Sequence, residues 1–220
     1  MQYKNILKNR EEAAIKLKEL IPMQRLKEEN WKIIALSKGG LEIAWHLKGK
    51  HANEIDFLFT EAIYAPNNDE CEIARVSETE EIVIHEKLVE AFEINYDYIY
   101  GEAHRKHEEK ILGSIYKYRK GRRFVNIKGE FVLLVDEASE TGSRFLTALK
   151  SILAQKPKAV YVAVPILPTD IVDLLEPFCD DVYFLYDLED YIETTLYYEE
   201  LDNVNEEKIE KYLENKKHEI

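Results

Sequence analysis

The chain has 220 residues, of which 45% are hydrophobic, and it carries a formal net charge of −13. This length and apolar content predict one domain with a packed core over residues 1–220. A chain this acidic is a poor candidate for binding DNA or RNA, since such binding requires clustered Lys and Arg.

Cysteine spacing and hydropathy exclude further classes. Cys71 and Cys179 match neither a disulfide framework nor the spacing of zinc ligands. No apolar run approaches the roughly 18 residues of a membrane span, and the first ten residues lack the apolar segment of a secretory signal. We therefore expect a cytoplasmic protein that has no membrane partner.

The N-terminal half alternates helix and strand. Residues 9–20 are predicted to form an amphipathic helix that Pro22 stops, and residues 31–36 a short strand. Ser37-Lys38-Gly39-Gly40 is predicted to be a tight turn before a helix over 41–47. The other predicted elements of this half are strands at 55–59 and 81–85, a polar loop at 65–72, and helices at 87–92 and 96–118.

The C-terminal half continues the alternation. Its predicted elements are strands at 131–135, 159–165 and 182–186 and helices at 144–155, 169–176 and 205–217. Such alternation is typical of an α/β fold with a doubly wound, mostly parallel sheet and flanking helices. Ligands of such sheets bind beyond the carboxyl ends of the strands, where the strand order reverses. We therefore expect the loops after residues 36 and 135 to converge.

The most informative segment follows the strand at 131–135. Two adjacent carboxylates, Asp136 and Glu137, end the strand, and Thr141-Gly142-Ser143 precedes the next helix. Vicinal hydroxyls of a ribose can donate to the carboxylates, and the backbone N–H groups of a helix N-terminus favour a phosphate. Gly142 allows the backbone to approach that phosphate closely. The alternative is an ordinary strand-loop-helix with a solvated acidic turn.

This order and spacing resembles the phosphoribosyl-pyrophosphate (PRPP) motif of type I phosphoribosyltransferases. Further colinear segments resemble one branch of that family, the predicted phosphoribosyltransferases of bacteria and archaea. These segments are 35–40 (Ala-Leu-Ser-Lys-Gly-Gly), 65–73, 118–122, 162–165 and 197–201. The resemblance implies the type I phosphoribosyltransferase fold with a small hood, contributed by the N-terminal helix, the 60–125 insertion or the C-terminal tail.

The resemblance also implies roles for individual residues. Asp136 and Glu137 would bind the ribose and, directly or indirectly, Mg²⁺. The implied 5-phosphate site is Ser139, Glu140, Thr141, Gly142 and Ser143, and the implied pyrophosphate site is Ser37, Lys38, Gly39 and Gly40. The implied partners are PRPP and an unidentified acceptor, in a homodimer that uses Mg²⁺ as cofactor.

Five positions depart from the pattern of the branch. Ala138 replaces a glycine, which requires a negative φ there, and Arg144 replaces a threonine. Glu61-Ala62 replaces a basic pair, and Lys38 replaces an arginine, so bidentate capture of a phosphate is weakened. These departures leave PRPP binding as an expectation and make turnover the open question.

Glu140 is a further departure, immediately before the Thr-Gly pair. It is a candidate general base toward the acceptor, beside Asp136 and Glu137 as the other catalytic candidates; the alternative is a solvated loop carboxylate. Tyrosines are frequent in the C-terminal region, where they would stack on an acceptor base or belong to the core or a dimer interface. They are Tyr183, Tyr186, Tyr191, Tyr197 and Tyr198.

Three functions follow as hypotheses. The first is an enzyme, a Mg²⁺-dependent transferase that moves the 5-phosphoribosyl group of PRPP to a nucleobase or other nitrogen acceptor. The second is a non-catalytic module that binds PRPP or a nucleotide and regulates through its surface, which the lost basic pair at Glu61-Ala62 favours. The third, a structural partner with an inherited fold, is supported only by the acidic surface.

Overall fold

A computed structural model describes residues 5–213 and contains an α/β fold. Among these residues the helices are α1 (Arg10–Leu20), α2 (Met23–Glu28), α3 (Lys38–Lys48), α4 (Glu86–Ala91), α5 (Tyr96–Lys106), α6 (Leu112–Arg119), α7 (Ser143–Ala154), α8 (Thr169–Leu175) and α9 (Glu206–Leu213). The strands are β1 (Lys32–Ala35), β2 (Ile55–Phe57), β3 (Thr60–Ala65), β4 (Asn68–Ser77), β5 (Ile82–Ile84), β6 (Phe131–Val135), β7 (Ala159–Pro168) and β8 (Asp181–Leu188).

The main sheet is parallel, with strand order β2-β1-β6-β7-β8. Its two faces bury different sets of side chains because successive residues of a strand point to opposite sides. Leu133 and Val135 of β6 pack in the core that includes α1 and α3, while Val132 and Leu134 pack in the core that includes α7 and α8. The predicted doubly wound sheet with flanking helices is therefore confirmed.

A second sheet is antiparallel and has the order β3-β4-β5. It includes the stretch predicted as a polar loop at 65–72, so that prediction is wrong. Asn67 has a φ of 61° in the turn between β3 and β4, a left-handed conformation that asparagine tolerates better than most residues. The turn therefore folds the polar segment back on β3 as a hairpin.

Two further predictions are adjusted. The helix predicted over 96–118 is a run of α5, a π-helical turn at His107–Ile111 and α6, and it buries Ile99, Ala103 and Ile111. The terminal helix ends at Leu213 in the described part of the chain, and its predicted residues 214–217 lie outside that part. Among residues 5–213 no helix is long and apolar enough to cross a membrane.

Candidate functional site

The loops after β1 and β6 meet at Asp136. This side chain is 1% exposed, and its Oδ1 accepts from the Ser37 hydroxyl and, at 2.8 Å, from the Glu137 backbone N–H. Ser37 is also the N-cap of α3, because its hydroxyl oxygen accepts from the Gly40 N–H at 2.9 Å. The strand order reverses between β1 and β6, so the expected convergence of the two loops is confirmed.

Two glycines allow this close approach. A Cβ at Gly39 would lie 2.0 Å from Glu137 Oε2, and one at Gly40 would lie 2.6 Å from the Val135 carbonyl oxygen. Gly39 and Gly40 lie in the first turn of α3, where the sequence predicted a tight turn. Their lack of a side chain lets α3 begin directly against the end of β6, while Lys38 is exposed.

Each member of the acidic pair is joined to an arginine. Arg144 Nη1 lies 2.6 Å from Asp136 Oδ2, and Arg10 Nε lies 2.6 Å from Glu137 Oε2. The charge of Asp136 raises the pKa of Arg144. Burial raises the pKa of Glu137, and the neighbouring Arg10 opposes that rise. The pair is thus neutralised by one arginine from the N-terminal helix α1 and by one from the first turn of α7.

Arg10 also ties two further segments to the site. Its Nη1 contacts Glu42 Oε2 of α3 at 3.2 Å and the Asp202 carbonyl oxygen at 2.7 Å. The Tyr198 hydroxyl donates to the Glu137 carbonyl oxygen at 2.8 Å, and burial raises the pKa of Tyr198 well above its ordinary value. The N-terminal helix and the C-terminal region therefore both contact the acidic pair.

The predicted phosphate loop precedes α7. Gly142 has a φ of 73°, and a Cβ there would lie 3.0 Å from Leu174 Cδ2. Both the left-handed backbone conformation and the close contact therefore favour glycine at this position. Ala138 does not adopt a positive φ, as its replacement of glycine requires. The Ser139 N–H donates to the Ile166 carbonyl oxygen at 3.1 Å, which removes that N–H from the predicted phosphate donors.

A cavity of about 220 Å³ opens beside this loop. Two guanidinium groups, three carboxylates and the start of α7 surround it. Its lining residues are Glu72, Arg75, Glu137, Ala138, Ser139, Glu140, Thr141, Gly142, Ser143, Arg144 and Thr194. The loop predicted to bind the 5-phosphate thus forms one wall of a polar cavity.

Glu140, the candidate base, is exposed at the edge of this cavity. Its Oε1 accepts from the Thr194 hydroxyl at 3.1 Å, and the Tyr191 and Thr194 hydroxyl oxygens lie 2.7 Å apart. Tyr197 and Tyr198 are buried, as expected of core tyrosines. The segment around Thr194 therefore borders the site, whereas its last two tyrosines contribute to packing.

The sequence did not reveal four residues of the site: Arg10, Glu72, Arg75 and Thr194. Glu72 and Arg75 lie on β4, in and beside the segment that was predicted to be a loop. Arg10 is one of many charged residues on an amphipathic helix, and no local pattern distinguishes it. Only the tertiary structure brings Arg10 to the acidic pair and the other three side chains to the cavity.

A directly bound Mg²⁺ does not fit the acidic pair in this geometry. Both carboxylates carry arginine partners, and the described residues contain no cluster of three or more His, Cys, Asp or Glu groups that could hold a metal ion. Oxygen ligands suit Mg²⁺, but a cation between Asp136 and Glu137 would face the guanidinium groups of Arg10 and Arg144. Direct binding of Mg²⁺ by the acidic pair is therefore not supported by this geometry, and the use of Mg²⁺ as a cofactor stays a prediction.

Comparison with known proteins gives two kinds of likeness. No family model matches the chain. Two curated proteins from strains of Mycobacterium tuberculosis, each named "Putative phosphoribosyl transferase", are 23% identical over 153 residues, which are 70% of this chain and 34% of theirs. The matched part thus spans about a third of the length of those relatives.

Solved structures give the second likeness, which is one of fold. The crystal structure of TT1426 from Thermus thermophilus has a TM-score of 0.73 and 26% identity, covering 97% of this chain and 98% of that one. A hypoxanthine-guanine phosphoribosyltransferase of Bacillus anthracis is more distant, with a TM-score of 0.42 and 17% identity over 84% of this chain and 83% of that one.

Proposed function

We propose that the chain is a type I phosphoribosyltransferase, which transfers the 5-phosphoribosyl group of PRPP to a nitrogen acceptor and releases pyrophosphate. The observation that carries the proposal is the hydrogen bond from Ser37 to Asp136 at the point where the strand order reverses. It brings the turn proposed for pyrophosphate to the acidic pair proposed for ribose.

Each part of PRPP has a proposed partner. Thr141, Gly142 and Ser143 bind the 5-phosphate at the start of α7, where N–H groups and the helix dipole favour an anion. Asp136 and Glu137 accept from the ribose hydroxyls. The turn at 37–40 binds pyrophosphate, although Lys38 is exposed and binds as a point charge rather than a bidentate fork.

Local arginines offset the charge of the molecule. The net charge of −13 opposes the approach of PRPP, whereas Arg75 and Arg144 line the cavity and Arg10 neutralises Glu137. Binding requires Asp136 to exchange its guanidinium partner for a ribose hydroxyl. The freed Arg144 is then available to a phosphate oxygen.

The proposed reaction breaks the bond between C1 of the ribose and the pyrophosphate oxygen, and pyrophosphate leaves with the electron pair. The lone pair of the acceptor nitrogen forms the new C1–N bond, and the acceptor's proton passes to Glu140. Positive charge develops on the ribose ring in between, and the carboxylates stabilise it by positioning and electrostatics. Mg²⁺ enters this proposal as part of the substrate, bound to the diphosphate of PRPP.

The rival is a module that binds PRPP or a nucleotide without turnover. The pairing of both acidic residues with arginines favours it, since the site must break two ion pairs before the ribose hydroxyls reach both carboxylates. A module that binds its ligand through the phosphate loop alone, without ribose contacts to the carboxylates, leaves both ion pairs in place. An enzyme must replace the Asp136 contact in every cycle.

A pyrophosphate-release assay tests the proposal. The full chain is supplied with Mg²⁺ and PRPP and a panel of purine and pyrimidine bases. Asp136→Asn combined with Glu137→Gln should lower kcat/KM at least about 100-fold, because the pair loses the charge that favours the transition state. The matched control is Asp173→Asn with Glu176→Gln, an equal charge change at two exposed positions, which should retain activity.

The same assay addresses the base. Glu140→Gln should lower kcat with little change in the KM for PRPP, because the carboxylate acts only on the acceptor's proton.

Calorimetry with Mg²⁺ and PRPP distinguishes the rival functions. Binding without pyrophosphate release for any base supports the module, and failure to bind PRPP contradicts both.

A further inference from the structure

One carboxylate that was not among the predicted site residues reaches the proposed phosphate loop. Oε1 of Glu72 accepts from the Ser143 hydroxyl at 2.6 Å, and Ser143 is the first residue of α7. Glu72 is therefore a negative group at the helix end that favours negative charge. A phosphate bound by the same hydroxyl would have to take the place of this carboxylate.

Arg75 holds the same carboxylate from the other side. Its Nε and Nη2 contact Glu72 Oε1 and Oε2 at 2.9 and 2.7 Å, a bidentate pair. Arg75 is 8% exposed and also donates to the Thr60 hydroxyl at 3.2 Å, so its position is fixed by β3 as well. A fixed, planar guanidinium that lines the cavity suits a phosphate as well as it suits a carboxylate.

A β-bulge explains how residues three apart on one strand form this pair. In a regular strand, side chains at i and i+3 point to opposite faces. Here Ile63 pairs with Ala74 but Tyr64 pairs with Glu72, so Ile73 is an extra residue in β4. Bulges re-aim side chains next to functional sites, and this one places Glu72 and Arg75 on one side, toward Ser143.

We propose that Glu72 is a resident anion that occupies the phosphate subsite of the ligand-free protein, and that Arg75 binds the ligand's phosphate once Glu72 is displaced. The inference rests on the proposed function, because it assigns further residues to the same subsite. A carboxylate beside a bound phosphate dianion is repelled by it. Glu72 therefore competes with a phosphorylated ligand for Ser143 and Arg75 and lowers the apparent affinity for that ligand.

Calorimetric titration of the full chain with inorganic phosphate tests the inference. Glu72→Gln should bind phosphate at least about tenfold more tightly than the native protein, because it removes the competing charge and frees Arg75. The matched control is Glu70→Gln, a nearby exposed carboxylate of the same strand, which should stay within about twofold. Arg75→Gln should weaken binding and cancel the gain in the double variant Glu72→Gln, Arg75→Gln.

Equal or weaker phosphate binding by Glu72→Gln overturns the inference, as does a lack of phosphate binding by every variant. If Glu72→Gln does not fold, a crystal structure of the native protein soaked in phosphate decides. Displacement of the Glu72 carboxylate from Ser143 by a bound phosphate supports the inference. A phosphate that binds away from Ser143 and Arg75 is an adventitious ion only, and this outcome contradicts the inference. Glu72-dependent phosphate binding without pyrophosphate release would contradict the transferase proposal alone.

Discussion

Gly40 illustrates how closely the site is packed at the level of one residue. A Cβ there would lie 2.6 Å from the Val135 carbonyl oxygen and 2.8 Å from Asp136 Cα, and both neighbours are backbone atoms of the acidic loop. Backbone cannot rotate away as the end of a side chain can. The packing of α3 on β6 therefore depends on a hydrogen atom at this position.

Gly40→Ala should destabilise the protein by about 1–3 kcal/mol, because overpacking forces the two loops apart. Urea denaturation followed by circular dichroism measures this loss. The control is Gly113→Ala in α6, where an added Cβ meets nothing within 4 Å. That substitution should stabilise the helix by about 0.5–1 kcal/mol. Native-like stability of Gly40→Ala would contradict the packing argument.

At the residue scale, the sequence predicted Asp136, Glu137 and the loop that follows, because their spacing along the chain is itself the signal. It did not predict their partners. Arg10 is 127 positions from Glu137, and nothing in the local pattern separates it from other charged residues. Arg144 was noted as a departure from the pattern of the branch. Its contact with Asp136 could not be predicted without knowing how the first turn of α7 lies against the end of β6.

At the scale of elements, the parallel strands were predictable and the hairpin was not. Strands β6 and β7 bury both faces and read as continuous apolar runs. By contrast, β4 begins with exposed polar residues that are rare in strands, and its first residues pair irregularly with β3. Cross-strand contacts form this hairpin, and periodicity along the chain does not encode them.

The turn after β1 was predicted in position but not in form. The Gly-Gly pair was interpreted as a loop that approaches a diphosphate, whereas both glycines lie in the first turn of α3. Glycine is unfavourable within helices, so its presence there requires a reason of packing. The contacts with Val135 and Glu137 supply that reason and link the element to the site.

At the scale of the whole molecule, segments near both ends of the described residues 5–213 connect to the acidic pair. Leu7 pairs with Tyr198 as an isolated parallel bridge, and Arg10 reaches both Glu137 and the Asp202 carbonyl. In α9, Lys208 Nζ lies 3.1 Å from Glu42 Oε1. Glu42 in turn contacts Arg10. The ends of the described chain are thus linked through ion pairs to the site.

A buried ion cluster joins the two sheets. Arg119, 3% exposed, contacts Asp56 of β2 at 3.1 Å and Glu78, just after β4, at 2.7 Å. The Arg119 guanidinium carbon also lies 5.1 and 5.0 Å from the ring centroids of Phe59 and Phe124. Arg119→Met keeps most of the volume but leaves two buried carboxylates unpaired. We expect a loss of about 3–5 kcal/mol in the free energy of unfolding at pH 7.

The loss should shrink as the pH falls. Burial raises the pKa of Glu78, and Arg119 opposes that rise, so removing Arg119 raises the pKa further. A carboxyl whose pKa is higher in the folded state binds more protons there, and stability then declines as the pH rises through that pKa. Urea denaturation at pH 7 and pH 5 should therefore show a smaller difference between Arg119→Met and the native protein at pH 5.

The control for this prediction is Arg105→Met, which breaks exposed ion pairs with Glu102 and Glu109. It should lower the free energy of unfolding by less than about 1 kcal/mol. A pH-independent loss for Arg119→Met would mean that unpaired carboxylates are not its cause.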